Sequence, residues 1–327
     1  MRFVVVGLGS MGRRRIRLLK QISDKYEIIG VDSKDERCAQ AERELSIITT
    51  NDLDDALARY NPDGVIVSTS PLSHAVIINK ALQASCNVFT ELNLVDDGYA
   101  DNMRLAEEKG KVLFLSSTFL YRSEIQFIRA EVSKAGEAMN YSYHVGQYLP
   151  DWHPWESFND FFVGDKRTNG CRELFAIELP WLIRVFGEIE SFEVLSSKNT
   201  GLSIQYKDNY LLLIKHTNGN KGVLAVDVVS RKPVRKLEVF GESIYLTWDG
   251  TPFGLRQYDI ESKTEKSVDL YENNVDKQEG YASFVIENAY RSELETFISQ
   301  INGNCVAEYT FEEDSKVLSL IDEIEAR

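Results

Sequence analysis

The chain has 327 residues, 43% of them hydrophobic and 27% charged, which is enough for two domains with cores of their own. Its net charge of −14 argues against nucleic acid or an anionic membrane surface as a partner, because phosphate contacts need clustered cations. No apolar run reaches the roughly 18 residues of a membrane-spanning helix, and the first strand begins without a charged-then-apolar leader. Four scattered cysteines (Cys38, Cys86, Cys171, Cys305) without CxxC spacing suit a reducing compartment, so a cytoplasmic protein is expected. With only four histidines and no HxxxH pair, no metal site is expected.

In chain order, Arg2–Val6 is an apolar, β-branched run that predicts a strand. Gly7-Leu-Gly-Ser-Met-Gly12 follows, then a helical pattern with Ile16, Leu19 and Ile22 on one face. Glu27–Val31 is a second strand, with Asp32 at its end, twenty residues beyond Gly12. Each part has a mechanical role in holding a dinucleotide. Gly7 permits the tight turn, Gly9 lets the backbone approach a pyrophosphate, and Gly12 lets the helix pack close to the sheet. The helix N-terminus, with Ser10 and Met11, faces the phosphate charge, and Asp32 with Ser33 can meet the adenosine ribose. Asp32 would repel a 2′-phosphate, which favours NAD over NADP, while Lys34 and Arg37 nearby keep NADP open. The basic cluster Arg13-Arg14-Arg15 with Arg17 reads as a solvated helix face.

The alternation continues with helical patterns at 39–45, 52–59, 73–84 and Tyr99–Lys109. Strands are expected at 47–48, 64–68, 87–91 and 111–115. Beyond residue 118 the grammar changes. A helix at 124–135 and a strand at 139–149 lead into an aromatic, irregular stretch, 150–163. An apolar helix at 172–186 comes next, then strands at 191–197, 203–206, 210–216, 222–229, 237–240 and 244–248. Asn218-Gly219 between two alternating runs marks a hairpin. Helical patterns at 284–301 and 312–326 close the chain. The fold class is therefore α/β: an N-terminal Rossmann domain with a doubly wound parallel sheet (1–118), and a C-terminal α+β domain (119–327) with a mostly antiparallel open sheet. An open sheet of about six strands must cover its exposed face, which favours a homo-oligomer, a dimer or tetramer.

Ser68-Thr-Ser-Pro-Leu-Ser-His74 after the fourth strand and Phe89-Thr-Glu-Leu-Asn93 after the fifth join the glycine loop and Asp32. With a mixed-sheet second domain behind them, these motifs resemble the Gfo/Idh/MocA family, which includes glucose–fructose oxidoreductase and inositol 2-dehydrogenase. The resemblance runs the full length and is most specific in the first domain. It implies NAD or NADP in that domain and oxidation or reduction of a hydroxyl or ketone on a sugar, cyclitol, sugar acid or nucleotide sugar. By position, Thr69, Pro71 and His74 match the family loop beside the adenine–nicotinamide bridge, and Glu91 matches the acid of its Glu-Lys-Pro signature. Leu92 and Asn93 stand where the family has lysine and proline. Aligned on the glycine before the apolar helix, the family's aspartate and histidine fall at Leu174 and Ile177. Leucine and isoleucine have no proton to move.

Replacement groups are sought in the second domain. Gln147-Tyr-Leu-Pro-Asp-Trp-His-Pro-Trp-Glu156 combines aromatic faces with hydroxyl-binding groups and suits a sugar. His153 is the first candidate acid–base, because an ordinary imidazole titrates near neutral pH. Lys166, with Arg167 and Arg172, forms a second set suited to a carboxylate or phosphate. Glu173 and Glu178 lie in the apolar helix, where a carboxylate is costly unless paired. Catalysis is therefore assigned to His153, Glu173 and Lys166, and substrate contact to Gln147, Trp155, Glu156 and Arg172. Two other readings are a dinucleotide-binding regulatory or scaffold protein without turnover, and an NAD-assisted isomerase or lyase.

Overall fold

The computed structural model describes residues 1–154, 156–271 and 286–327. In chain order the elements begin β1 (Arg2–Val6), α1 (Ser10–Ile22), β2 (Glu27–Val31), α2 (Asp35–Leu45), β3 (Ile48–Thr50) and α3 (Leu53–Tyr60). They continue with β4 (Gly64–Val67), α4 (Pro71–Gln83), β5 (Asn87–Thr90), α5 (Tyr99–Lys109) and β6 (Leu113–Leu115). Then come α6 (Ser123–Ala135), β7 (Asn140–Gly146), α7 (Gly170–Phe186), β8 (Ile189–Ser197), β9 (Asn209–His216) and β10 (Lys221–Asp227). The last are β11 (Val234–Phe240), β12 (Tyr245–Trp248), β13 (Arg256–Asp259), β14 (Thr264–Ser267), α8 (Glu287–Ile301) and α9 (Phe311–Ala326).

Two compact units result: Met1–Thr118 with Tyr290–Lys316, and Phe119–Ala289 with Val317–Arg327. The first unit's opening segment ends at Thr118, and the segment Tyr290–Lys316 is also part of that unit. Aromatic packing explains the return. Phe297 sits edge-on to Phe89 and Phe114, which stack on each other with centroids 5.0 Å apart.

The first unit is a parallel sheet in the order β3-β2-β1-β4-β5-β6. β1 is buried along its length from Phe3 to Val6, as a strand covered on both faces must be. The order reverses between β1 and β4, and ligands of open α/β sheets bind outside the carboxyl ends of strands at such a point. The second unit holds a mixed sheet of eight strands, β14-β13-β12-β11-β7-β10-β9-β8, in which only β7 and β10 run parallel. β9 alternates strictly, Tyr210, Leu212 and Ile214 inward and Leu211, Leu213 and Lys215 outward, which fixes its register. The Asn218-Gly219 turn joins β9 to β10, with Gly219 at φ +90°.

Two differences from the sequence expectation are informative. Residues 203–206 form no strand. The carboxylate of Asp208 takes the N–H groups of Asn199 and Thr200, and Tyr206 Oη bonds the Val163 carbonyl, so side chains organise a loop. The sheet also gains the polar hairpin β13–β14 at one edge.

Candidate functional site

In the first unit the glycine loop leaves β1 at Gly7, whose φ of +92° excludes ordinary side chains. A Cβ there would lie 2.6 Å from the Ser68 carbonyl oxygen. A Cβ on Gly12 would lie 1.8 Å from the Gly7 carbonyl oxygen, so only glycine lets α1 sit this close to the strand. Gly9 is different: a Cβ there would meet only Arg37 Nη1, at 3.9 Å. Open space above Gly9 is what close approach of a ligand to the backbone requires. Gly9 is also the N-cap of α1, no side chain caps the helix, and its first turn holds no acid. The positive end of the helix is thus offered to an anion. Ser10 is exposed and Met11 half-buried at this end.

Asp32 is buried at the end of β2. Its Oδ2 accepts the Leu8 N–H at 2.8 Å and its Oδ1 the Lys34 N–H at 2.9 Å. The acid is thereby locked to the glycine loop, and each oxygen keeps a lone pair for a ribose hydroxyl. Ser33 beside it is exposed. Loop, helix end and acid fit a dinucleotide.

After β4, Thr69, Pro71 and His74 form a packed corner. Pro71 is the first residue of α4, where its missing N–H is harmless. His74 is buried, with Nε2 3.0 Å from the Thr69 carbonyl oxygen and Nδ1 2.6 Å from the Asn93 amide. Burial lowers its pKa, and the two ring nitrogens face acceptor oxygens, the Thr69 carbonyl and Asn93 Oδ1. With both nitrogens engaged, His74 fixes the loop. Asn93 in turn donates to Tyr99 Oη, which donates to Asp314, all within this unit.

Glu91 accepts two hydrogen bonds from Arg15, at 2.6 and 2.9 Å, and Arg15 also reaches Glu293 at 2.8 Å. Burial opposes the Arg15 charge, but the two carboxylates more than offset it and hold its pKa above the ordinary value. This corrects the reading of the basic cluster as a solvated face: Arg14 is 3% exposed and Arg15 fully buried. The signal was available, because Arg15 precedes Leu19 by one helical turn and shares its inward face.

In the second unit, His153 Nδ1 lies 2.7 Å from Glu156 and the ring stacks on Phe161 with centroids 4.5 Å apart. Gln147 is half-buried and its carbonyl accepts Trp152 Nε1–H. Trp155 lies outside the described residues. Lys166 and Arg167 are exposed on a turn capped by Asp165. Arg172 is not an open anion clamp: it is buried, and its Nη1 lies 2.7 Å from Asp322 and 2.6 Å from Glu325. Glu178 is paired as a buried carboxylate must be, with Tyr143 Oη at 2.7 Å, Trp181 Nε1 at 2.6 Å and Arg235 Nη2 at 2.5 Å.

Glu173 is the exception. Its Oε2 is shut off from solvent and has no hydrogen-bond partner among the described residues. Burial alone pushes its carboxyl up to about 7. Along α7 from Gly170 to Leu182 only Glu173 and Ile177, one turn apart, are not fully buried. The structure thus joins His153 to Glu156, leaves Lys166 on the surface, ties Arg172 into an ion-pair network and isolates Glu173. Among the described residues no group of three or more His, Cys, Asp or Glu could hold a metal, and no helix is long and apolar enough to cross a membrane.

A Rossmann sheet with this loop and acid defines a dinucleotide-binding protein. Residues 1–117 match the profile of the Gfo/Idh/MocA oxidoreductases, an oxidoreductase family with an NAD-binding Rossmann fold. A curated relative, 4-carboxy-2-hydroxymuconate-6-semialdehyde dehydrogenase of Sphingobium sp., is 31% identical over 142 residues, 42% of this chain. That match spans 44% of the relative's own length. Three solved structures share the fold. UDP-N-acetylglucosamine 3-dehydrogenase from Acidithiobacillus ferrooxidans has TM-score 0.75 at 18% identity, covering 100% of this chain and 97% of that one. The WlbA dehydrogenase from Bordetella pertussis, in complex with NADH and UDP-GlcNAcA, has TM-score 0.75 at 15% identity, covering 99% and 95%. The myo-inositol 2-dehydrogenase from Lactobacillus plantarum has TM-score 0.79 at 15% identity, covering 100% and 96%.

Proposed function

We propose that the protein is an NAD-dependent oxidoreductase acting on a hydroxyl or ketone of a sugar-like substrate, an amino sugar, sugar acid or nucleotide sugar. The observation that carries this reading is the loop Gly7–Gly12, shaped for a dinucleotide and locked to Asp32. NAD, when bound, supplies the hydride acceptor or donor. The chain must supply the proton carrier. Among the three catalytic candidates, Glu173 has the chemistry for it: a carboxyl whose Oε2 has no hydrogen-bond partner among the described residues, and whose pKa burial raises to about 7. His153, whose ring stacks on Phe161, with Glu156 and with Gln147 on the same segment, has donors and acceptors for substrate hydroxyls. Lys166 is left the role of a peripheral cation for an acidic substrate.

The test is incubation of the protein with NAD and, separately, UDP-N-acetylglucosamine, UDP-N-acetylglucosaminuronic acid and myo-inositol, followed at the nicotinamide absorbance. NADH formation with one of them is expected. Cofactor binding without product would favour the scaffold reading, and product without net NADH the isomerase or lyase reading.

We also propose a homo-oligomer through the outer face of the second unit's sheet. Leu195 pairs with Leu211 across β8 and β9, and Leu213 with Val223 across β9 and β10. All four are exposed, Leu195 by 75% and Leu213 by 60%, in one contiguous apolar patch. Leu213→Asp is expected to lower the mass measured by light scattering to that of a smaller assembly, and an unchanged mass would exclude this face.

A further inference from the structure

Lys166, Arg167 and Arg172 are the cations that the sequence suggests for an acidic substrate, and the second unit commits Arg172 to Asp322 and Glu325. Another arginine of this unit stands differently. Arg231 is exposed in the turn between β10 and β11, and its guanidinium carbon lies 3.7 Å from the centroid of the Tyr148 ring. Among the described residues that ring is its partner, and it makes no hydrogen bond or ion pair. This sets it apart in a chain with 51 Asp and Glu against 37 Lys and Arg. Arg15, Arg122, Arg172 and Arg235 are each paired with a carboxylate.

The nearest acid in sequence, Asp227, does not neutralise it. Asp227 Oδ1 accepts the N–H groups of Val229 and Ser230 at 2.9 and 2.7 Å. Its Oδ2 accepts the Ser230 hydroxyl at 3.0 Å and lies 2.7 Å from His144 Nε2. The carboxylate is thus fully engaged in shaping the turn that presents Arg231. The backbone beneath the ring is held as well. Gln147, Tyr148 and Leu149 donate their N–H groups to the carbonyls of Asp227, Ser230 and Val228, at 3.3, 2.7 and 3.0 Å. Tyr148 therefore belongs to the same segment as Gln147, His153 and Glu156. A guanidinium lying on a ring keeps its edge, where the N–H donors point, open to a ligand. Lys232 beside it is exposed and adds a second cation.

We propose that Arg231, held on Tyr148, binds an oxyanion of the substrate, the carboxylate of a sugar acid or the diphosphate of a nucleotide sugar. Either group presents two oxygens to the planar fork, which a lysine would meet only as a point charge. The ring contact orients the fork in advance and so reduces the ordering that binding requires. The proposal rests on the reading of the chain as an oxidoreductase of sugar-like substrates and narrows it to acidic ones.

Titration calorimetry with UDP, with glucuronate and with neutral myo-inositol is carried out on the full chain and on Arg231→Ala, Arg231→Lys and Tyr148→Leu, in saturating NADH so that the glycine loop is filled. UDP is expected to bind if the group held is a diphosphate, and glucuronate if it is a carboxylate. Arg231→Ala should weaken that anion by about tenfold or more, and Arg231→Lys should regain part of the loss by returning the charge without the fork. Tyr148→Leu should weaken it by about threefold with the charge still present. The loss in Arg231→Ala should shrink as salt is raised. The proposal is overturned if neither anion binds, if Arg231→Ala leaves the affinity unchanged, or if myo-inositol is weakened as much as the anion. NADH formation from an acidic sugar with a KM that Arg231→Ala does not alter sinks only this proposal. Arg231-dependent anion binding without NADH formation from any sugar sinks only the oxidation.

Discussion

Replacing Arg15 by methionine is expected to destabilise the first unit by about 3–5 kcal/mol at neutral pH, the usual penalty for leaving buried charges without their partner. Arg15 is fully buried between Glu91 and Glu293, with Phe89 and Tyr290 against its guanidinium. The loss has a pH signature. Burial first of all, with help from Glu91, already holds the Glu293 carboxyl above its ordinary value, while Arg15 opposes the shift. A raised carboxyl pKa means that the folded state keeps a proton the unfolded state has released. Stability from this group therefore falls as pH rises from the ordinary carboxyl range toward the raised value. Without Arg15 the Glu293 carboxyl moves further up, so the variant should lose stability with rising pH more steeply than the parent and recover toward pH 5. Chemical denaturation at several pH values measures this. Arg15→Met combined with Glu91→Gln and Glu293→Gln should regain much of the stability, because neutral groups of similar shape need no countercharge. Equal stability of parent and single variant at pH 8 would show that the pair contributes nothing.

The reach of sequence reasoning is visible in these same residues. The glycine loop was legible because each glycine answers a separate steric demand: the turn at Gly7, the opening at Gly9, the helix contact at Gly12. The hairpin at Asn218-Gly219 was legible because a positive φ is needed there. Arg15 was misread because composition treats three consecutive arginines alike, whereas the helix turns only Arg14 and Arg15 inward. The return of Tyr290–Lys316 to the first unit could not be read, since the pairings of Phe297 with Phe89 and Phe114 span 208 and 183 residues. The hairpin β13–β14 was missed because its strands, Arg-Gln-Tyr-Asp and Thr-Glu-Lys-Ser, carry no apolar alternation; paired at the sheet edge, they need none. At the second unit's site, sequence named Glu173 and Arg172 together but could not divide their roles. Asp322 and Glu325 on α9 make that division by engaging Arg172.

Glu173→Gln is expected to make the second unit more stable and the proposed reaction much slower. In the folded chain burial holds the Glu173 carboxyl at about 7, against an ordinary 4.5. Below the ordinary value both states are protonated and the group has no effect. Between there and pH 7 only the folded state is protonated, so stability falls as pH rises, and above 7 the folded chain carries a buried carboxylate with no partner on Oε2. The full penalty is about 3 kcal/mol at pH 8, taking 1.36 kcal/mol per pH unit of displacement. Glutamine has nearly the same shape and no charge, so it should remove up to that amount. Melting of the variant at pH 8 should be higher by roughly 5 °C or more, and its stability should no longer fall between pH 5 and 7. Turnover in the proposed oxidation should drop by about 10²–10⁴, the range for losing a general acid or base. Aspartate at this position should keep a measurable part of the rate, whereas glutamine should not. A residue that served packing alone would show little change in rate on either substitution, while the pH dependence of melting would still be lost with glutamine. A destabilising carboxyl retained at the only polar position not fully buried between Gly170 and Leu182 is the pattern expected where stability has been exchanged for chemistry.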